Sequence, residues 1–312
     1  MPTAVIAIGG NSLIRDKDHQ SVQDQYEAAA ETDHRIAALV GLGWDVVVSH
    51  GNGPQVGFIL RRSELAAHEL HEVPLEVCGA DTQGAIGYAL QQNLYNDFLR
   101  LGIDKGVATV VTQVEVAPDD PAFGSPAKPI GSFMDESAAQ VRLTEGWDVV
   151  EDAGRGWRRV VASPNPLRIV EIDAIRHLLA AGMVVIAVGG GGIPVIADEE
   201  GVLRGVAAVI DKDLASALLA NLLDADLLLI STAVEKVSLN FGKPDQTDID
   251  VMTVAEAKAY LAEGSHFAKG SMAPKIQAAV SYLERGGQMV IITDPEHIEE
   301  AVAGSTGTRI VP

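Results

Sequence analysis

Apolar runs of strand length recur at 3–8, 45–49, 106–112, 183–188, 226–231 and 288–292. They lack a strict alternation with polar residues, which marks strands buried on both faces. Between them, helical spacing runs through 21–42, 79–102, 173–181, 213–223, 253–263 and 271–286. This alternation predicts an α/β fold with a mostly parallel sheet and helices on both sides. Ligands of such sheets gather at the carboxyl ends of the strands.

One stretch, 115–168, breaks the rhythm with a frame of prolines, glycines and aspartates. Inside it, a short helix is predicted near 137–145, and 147–151 and 157–161 read as a hairpin around Ala153-Gly154-Arg155-Gly156. The chain 1–312 is therefore read as one domain, with 115–168 as a small protruding subdomain. That insertion is either surface decoration or a lid over the site.

Three glycine-rich turns follow predicted strands: Gly9-Gly10-Asn11, Gly51-Asn52-Gly53 and Gly189 to Gly192. Glycine lets backbone N–H groups approach an anion without a Cβ in the way, and a following helix adds its positive end. All three are read as strand-to-helix turns. One such turn is weak evidence, but three on one sheet edge point to a polyphosphate. Neither the G-x-x-x-x-G-K-[ST] pattern nor G-x-G-x-x-G occurs in a strand-to-helix context, which argues against the commonest nucleotide folds.

Composition narrows the picture. The net charge of −20 opposes binding to nucleic acid, because polyanion binders concentrate positive charge. It also singles out lysines near the turns, since a small anionic substrate needs a local positive field. Three qualify by context: Lys128 in the insertion, Lys212 before a predicted helix beside Asp213, and Lys275 in the first turn after Gly270-Ser271. Phosphoryl transfer requires such groups to stabilise charge on the transferring oxygens. The one cysteine, Cys78, permits no intrachain disulfide and reads as a buried thiol in a cytoplasmic protein. No run approaches the roughly 20 apolar residues of a membrane span, and no signal peptide is expected at the start. His68 and His71 with Glu69 and Glu72 read as a solvated helix face, and His50 as a residue that orients its loop.

The segments GGNSL from Gly9, SHGNGPQVG from Ser49, PLEVCGADTQGAIGY from Pro74, KPIG from Lys128, GGGGIPV from Gly189, VIDKDLAS from Val209, NFGKP from Asn240 and GSMAPK from Gly270 resemble the carbamate kinases of the amino acid kinase family. The resemblance spans essentially the whole chain. It implies a three-layer α/β/α sandwich, a homodimer, and reversible transfer between MgATP and carbamate to give ADP and carbamoyl phosphate. The implied direction is ATP formation during arginine fermentation.

By the same resemblance, Gly9, Gly10, Asn11, Gly51, Asn52 and Gly53 cradle the transferring phosphoryl group and carbamate. Lys128, Lys212 and Lys275 are catalytic, with Asp213 organising the lysines. Gly189, Gly190, Ser231, Ala233, Val234 and Met272 are expected on the nucleotide side. Mg2+ arrives on the nucleotide phosphates, without protein side-chain ligands. Ser12, Ser238 and Lys269 stand where the family commonly has alanine, an aromatic and proline. The alternatives are another phosphotransferase of the family with a different small acceptor, and a non-catalytic nucleotide sensor.

Overall fold

Continuous apolar runs give strands that can be covered on both faces, and the computed structural model arranges them that way. It describes residues 1–9, 13–14, 18–151, 156–268 and 270–312, without the side chain of Ser132. The chain runs through β1 (Thr3–Ile8), α1 (Val22–Gly41), β2 (Asp45–His50), α2 (Gly53–Ala66), α3 (Leu75–Leu101), β3 (Val107–Thr109) and β4 (Gln113–Glu115). Next come β5 (Lys128–Met134), α4 (Glu136–Thr144), β6 (Val149–Glu151), β7 (Trp157–Val161), β8 (Arg168–Ile169), α5 (Ile172–Ala180), β9 (Val184–Ile186), β10 (Ile193–Ala197) and β11 (Leu203–Gly205). The remainder forms α6 (Lys212–Leu222), β12 (Leu227–Ser231), β13 (Val237–Leu239), β14 (Thr247–Ile249), β15 (Val251–Thr253), α7 (Val254–Glu263), α8 (Met272–Glu284), β16 (Val290–Thr293), α9 (Ile298–Ala303) and β17 (Thr308–Val311).

Eight strands make the central sheet, in the order β15-β17-β16-β12-β1-β2-β9-β3. β1 pairs parallel with both β12 and β2, and the direction reverses only where β17 meets β16. Successive residues of β1 serve opposite cores, as a period of two requires. Val5 and Ala7 join the core containing Ala217 of α6 and Ile276 of α8, whereas Ala4, Ile6 and Ile8 join the one containing Ile36 of α1 and Leu90 of α3. The result is the three-layer α/β/α sandwich with a mostly parallel sheet. Burying each such Ile or Leu contributes about 1.5–3 kcal/mol.

Two sequence expectations need correction. The run 106–112 is not one strand: the ladder of β3 ends at Thr109, and β4 belongs to a second sheet of order β11-β10-β4-β8. Gln83 explains the break, because its side chain accepts from Thr112 N–H (2.7 Å) and donates to the Thr112 carbonyl (3.1 Å). The turn at Gly189 to Gly192 does not open an α-helix. It makes one tight 3-10 turn, with Gly190, Gly191 and Gly192 at φ of 68°, 95° and 90°, and then enters β10. Ile193 N–H pairs with the Thr112 carbonyl there (2.9 Å), so the chain joins the second sheet.

α2 was absent from the helical segments read by spacing, for a visible reason: it buries only Gln55, Val56 and Gly57. Within 115–168, β5, β7 and β6 form their own antiparallel sheet, in that order, joined by α4. At its base β4 pairs antiparallel with β8, and Arg168 grips Glu115 at 2.7 Å. The tip of the predicted hairpin, 152–155, lies outside the described residues.

Candidate active site

α6 starts where it does because Asp211 caps it. The Asp211 carboxylate accepts from the backbone N–H groups of Asp213 (2.9 Å) and Leu214 (3.4 Å). This cap places Lys212 and Asp213 in the first turn, at the carboxyl edge of the sheet. Asp213 then receives two lysines, one on each oxygen: Lys212 Nζ at 2.5 Å and Lys275 Nζ at 2.9 Å. Lys275 comes from the first turn of α8, so one carboxylate ties two helices together. Lys128, at the start of β5, reaches across to Asp211 Oδ2 (3.1 Å) and the Ile210 carbonyl (3.3 Å). Three lysines distant in sequence thus meet at one helix N-terminus, where the helix dipole adds to their field.

Burial sharpens this charge set. Burial opposes ionisation of Asp213, but Lys212 and Lys275 overcome it and hold the carboxyl well below the usual carboxylate range. For Lys212, burial is the leading influence and lowers its pKa, and Lys275 adds to that while Asp213 opposes it. Two largely buried cations therefore share the Asp213 carboxylate. The local excess of positive charge suits a phosphoryl group entering from solvent, in a chain whose net charge is −20.

The second wall is the turn after β2. Asn52 is buried and donates from Nδ2 to Thr82 Oγ1 (2.8 Å), which in turn donates to the Gly79 carbonyl (2.7 Å). His50 donates from Nδ1 to the Gly51 carbonyl (3.1 Å). Complete burial, reinforced by the charge of Lys212, lowers the His50 pKa to about 4, so the ring is neutral at neutral pH. This fits a loop-orienting role. Ser49 Oγ lies 2.6 Å from Ser216 Oγ, and Ser216 donates to the Lys212 carbonyl (2.6 Å), which fastens this wall to α6.

Gly189 and Gly190 are buried directly behind His50 and Asn52. A Cβ on Gly189 would fall 2.4 Å from His50 Nε2, and one on Gly190 would fall 2.0 Å from Asn52 Nδ2. Gln83 holds the same turn by donating to the Gly189 carbonyl (2.9 Å). The third glycine cluster therefore supports the second. Gly9, at the end of β1, sits where a Cβ would approach the Ser231 carbonyl to 3.0 Å, so the ends of β1 and β12 abut. Gly10 and Asn11 lie outside the described residues, as do Ser12 and Lys269.

Ser231, the last residue of β12, is buried with its hydroxyl unpartnered among the described residues; beyond it Ala233 is exposed, and Val234 and Met272 are half-buried. Ser238, where an aromatic was expected, donates to Asp248 (2.6 Å) and secures the β13–β14 hairpin. A cavity of about 970 Å3 lies between α1, α3 and the turns after β12 and β16, and none of the three lysines lines it. Convergent charge, not cavity size, marks the candidate site.

Other candidates resolve as ordinary structure. His68 and Glu69 are exposed and 3.3 Å apart, but they follow the end of α2 at Ala66 and lie in a turn rather than on the helix face expected; no group of three or more metal-ligating side chains occurs among the described residues. Cys78 is buried, which pushes its thiol up to about 11 and leaves it unreactive. No helix among the described residues is long and apolar enough to cross a membrane. Sequence reading missed Asp211, Thr82 and Gln83. Asp211 had a signal, as a capping residue before Lys212, whereas Thr82 and Gln83 are two of many polar residues in α3 and had none.

Comparison with known proteins follows the same pattern. The model of the amino acid kinase family matches residues 2–294. A carbamate kinase-like protein of Escherichia coli, YahI, is 51% identical over 98% of both chains. The carbamate kinase of Thermococcus kodakarensis is 46% identical over 100% of this chain and 99% of its own. Among solved structures, carbamate kinase from Giardia lamblia bound to AMP-PNP superposes with a TM-score of 0.92 at 41% identity, over 99% of this chain and 98% of that one. With this full-length agreement in sequence and architecture, the chain belongs to the amino acid kinase family.

Proposed function

We propose that the chain is a carbamate kinase, catalysing reversible phosphoryl transfer between ATP and carbamate. The observation that carries this reading is the convergence of Lys128, Lys212 and Lys275 on Asp211 and Asp213 at the start of α6. In the ATP-forming direction, a β-phosphate oxygen of ADP attacks the phosphorus of carbamoyl phosphate. The bond from phosphorus to the carbamoyl oxygen breaks, and carbamate leaves with that electron pair. Little covalent work falls to the protein, so alignment and charge stabilisation supply the catalysis.

Lys212 and Lys275 neutralise charge on the transferring oxygens while Asp213 fixes their positions. Gly51 N–H is already taken by the Ile8 carbonyl (3.0 Å), so the amides left to meet the phosphoryl group here are those opening α2, at Gly53 and Gln55. Asn52 is the N-cap of α2 and holds this turn through Thr82. Gly9, at the end of β1, borders the opposite side, and the family resemblance assigns Gly10 and Asn11 to the same phosphoryl group. Ser231, Ala233, Val234 and Met272 border the nucleotide, and Gly189 and Gly190 act on it only through the turn they support.

Mg2+ supplies further charge neutralisation when bound with the nucleotide. Asp211 and Asp213, the carboxylates beside the lysines, are already engaged by lysines, which fits a metal carried on phosphate oxygens and water rather than in a protein cage. We take the sheet β5-β7-β6 with α4 as the lid of the inserted segment 115–168, because Lys128 stands on its first strand. Closing it brings a third cation to the phosphoryl group and excludes water.

The test is ATP formation from carbamoyl phosphate and MgADP by the purified protein, with acetyl phosphate and acyl phosphates of amino acids as competing donors. Turnover with carbamoyl phosphate is expected to dominate. Preference for another donor would select a different acceptor within the family, an outcome given weight by the carbamate kinase-like relative. Nucleotide binding without turnover on any donor would leave a sensor.

We extend the reading to a cytoplasmic homodimer that runs toward ATP in arginine fermentation. Tyr88, Tyr95 and Leu99, on one side of α3, are 57%, 62% and 74% exposed and offer an apolar face for a second copy. Sedimentation at micromolar concentration is expected to give twice the chain mass of 32.8 kDa, and a monomer would remove this part.

A further inference from the structure

A second cavity, of about 290 Å3, lies between α2 and the three-stranded sheet. Arg61, Arg142 and Arg159 line it, against Glu64 as the one carboxylate among its described lining residues. In a chain of net charge −20, three arginines around one small cavity are a marked local reversal. Glu64 accepts from Arg61 (3.1 Å) and Arg142 (3.2 Å), and Arg142 also donates to Glu145 (2.8 Å). Arg159 differs: it is half-exposed and makes no direct ion pair among the described residues, although Glu64, Glu72 and Asp148 act on it from farther away. Its one close contact of note is the Trp147 ring, with the guanidinium carbon 4.4 Å from the centroid; Arg142 stands over the same ring at 4.5 Å.

A fork of donors set over an indole, with no direct ion pair among the described residues, can take up a carboxylate. The rest of the lining, including Leu60, Ile130 and Phe133, is apolar. We propose that this cavity binds a small organic carboxylate with an aromatic or aliphatic body, its charge held by Arg159 and its body lying along Trp147 and Phe133. The cavity has one wall on α2 and the other on β5 and β7, so an occupant bridges the sandwich and the inserted sheet. Gly57 and Gly131 approach so closely there that a Cβ on Gly57 would lie 3.2 Å from Gly131 Cα. Lys128 is three residues before Gly131 on β5, so occupancy fixes the strand that carries it. This last consequence rests on the kinase reading, while the binding itself does not.

Benzoate is the probe, with benzamide as its uncharged counterpart, titrated by calorimetry into the full-length protein. Saturable binding of benzoate at one site is expected, with none for benzamide. Arg159→Gln should weaken it about ten- to hundredfold, as expected for loss of a charge-assisted contact. ATP formation without benzoate should be unchanged in this variant. Lys128→Ala should still bind benzoate, and this arm separates the new site from the candidate active site. If Arg159→Gln does not fold, Arg61→Gln serves instead, with severalfold weaker binding expected. No saturation by about 10 mM, equal binding by the arginine variant and the parent, or displacement of benzoate by carbamoyl phosphate would each overturn the proposal.

Discussion

Replacing Lys128 with alanine is expected to lower kcat for ATP formation by about 10^2- to 10^3-fold, the usual effect of deleting one preorganised charge donor. The fold should survive. Lys128 Nζ meets Asp211 and the Ile210 carbonyl at the mouth of the site, with the Lys128 side chain 26% exposed. A pair with that access to water contributes about 1 kcal/mol or less to stability. Asp211 also keeps its other oxygen on the backbone of Asp213 and Leu214, so the cap of α6 is retained. If the contact forms chiefly in the transition state, kcat falls together with kcat/KM and KM changes little. Steady-state kinetics alongside a thermal melt provide the check, and near-normal kcat in a folded variant would reduce the inserted segment to decoration.

Asp213→Ala is expected to have the largest effect on stability, about 3–5 kcal/mol, because it removes the one carboxylate between two buried ammoniums. The Lys212 and Lys275 side chains are 14% and 12% exposed, so water cannot fully replace the lost partner. The pH dependence supplies a second signature. In the parent, the folded-state pKa of Asp213 is depressed, so its stabilising contribution is fully present above the unfolded value of about 3.9. It is lost as pH falls through the lower folded value, and the acid limb of the variant should be shallower. On the alkaline side Lys212 acts with the same sign. Lys212 already has a lowered pKa from burial, and without Asp213 it drops further. The unfolded chain then binds more protons, so the variant should regain stability as pH rises toward about 10. Urea unfolding across pH gives the profile. A variant as stable as the parent at pH 7, or one without alkaline recovery, would contradict the shared-anion account.

Much of this arrangement was legible in the sequence because it depends on local rules. The apolar runs at 3–8 and 226–231 became neighbours β1 and β12 at the centre of the sheet, where both faces are covered. Lys212 and Lys275 stood out because each sits in the first turn of a helix, in an acidic chain with few lysines to choose from. Helix α2 was harder to see, since it fully buries few residues and its apolar stripe, Val56 with Ile59 and Leu60, is short.

What escaped the sequence were contacts made across long separations. Gly189 to Gly192 looked like a phosphate turn by composition, yet a Cβ on Gly189 or Gly190 would meet His50 or Asn52, and one on Gly191 or Gly192 would meet Ile210 or Val114. Nothing in a run of four glycines distinguishes room for a ligand from room for a neighbouring side chain. Gln83 reads as one more helix residue until its amide is seen joining Thr112 to Gly189. Asp211 was passed over for its neighbour Asp213, although it both caps α6 and receives Lys128 from 83 positions away.

The sequence alone determined the layered sheet, the turns that end its strands and the lysines available for an anion, since each follows from periodicity, glycine chemistry or net charge. The tertiary structure decided which of those groups meet. Only the folded chain brings Lys128 to Asp211, places both Lys212 and Lys275 on Asp213, and sets Arg159 over Trp147 with no direct ion pair among the described residues. The physical reason is range: backbone preferences act over a few residues, whereas the burial that perturbs these charges exists only after distant segments have packed.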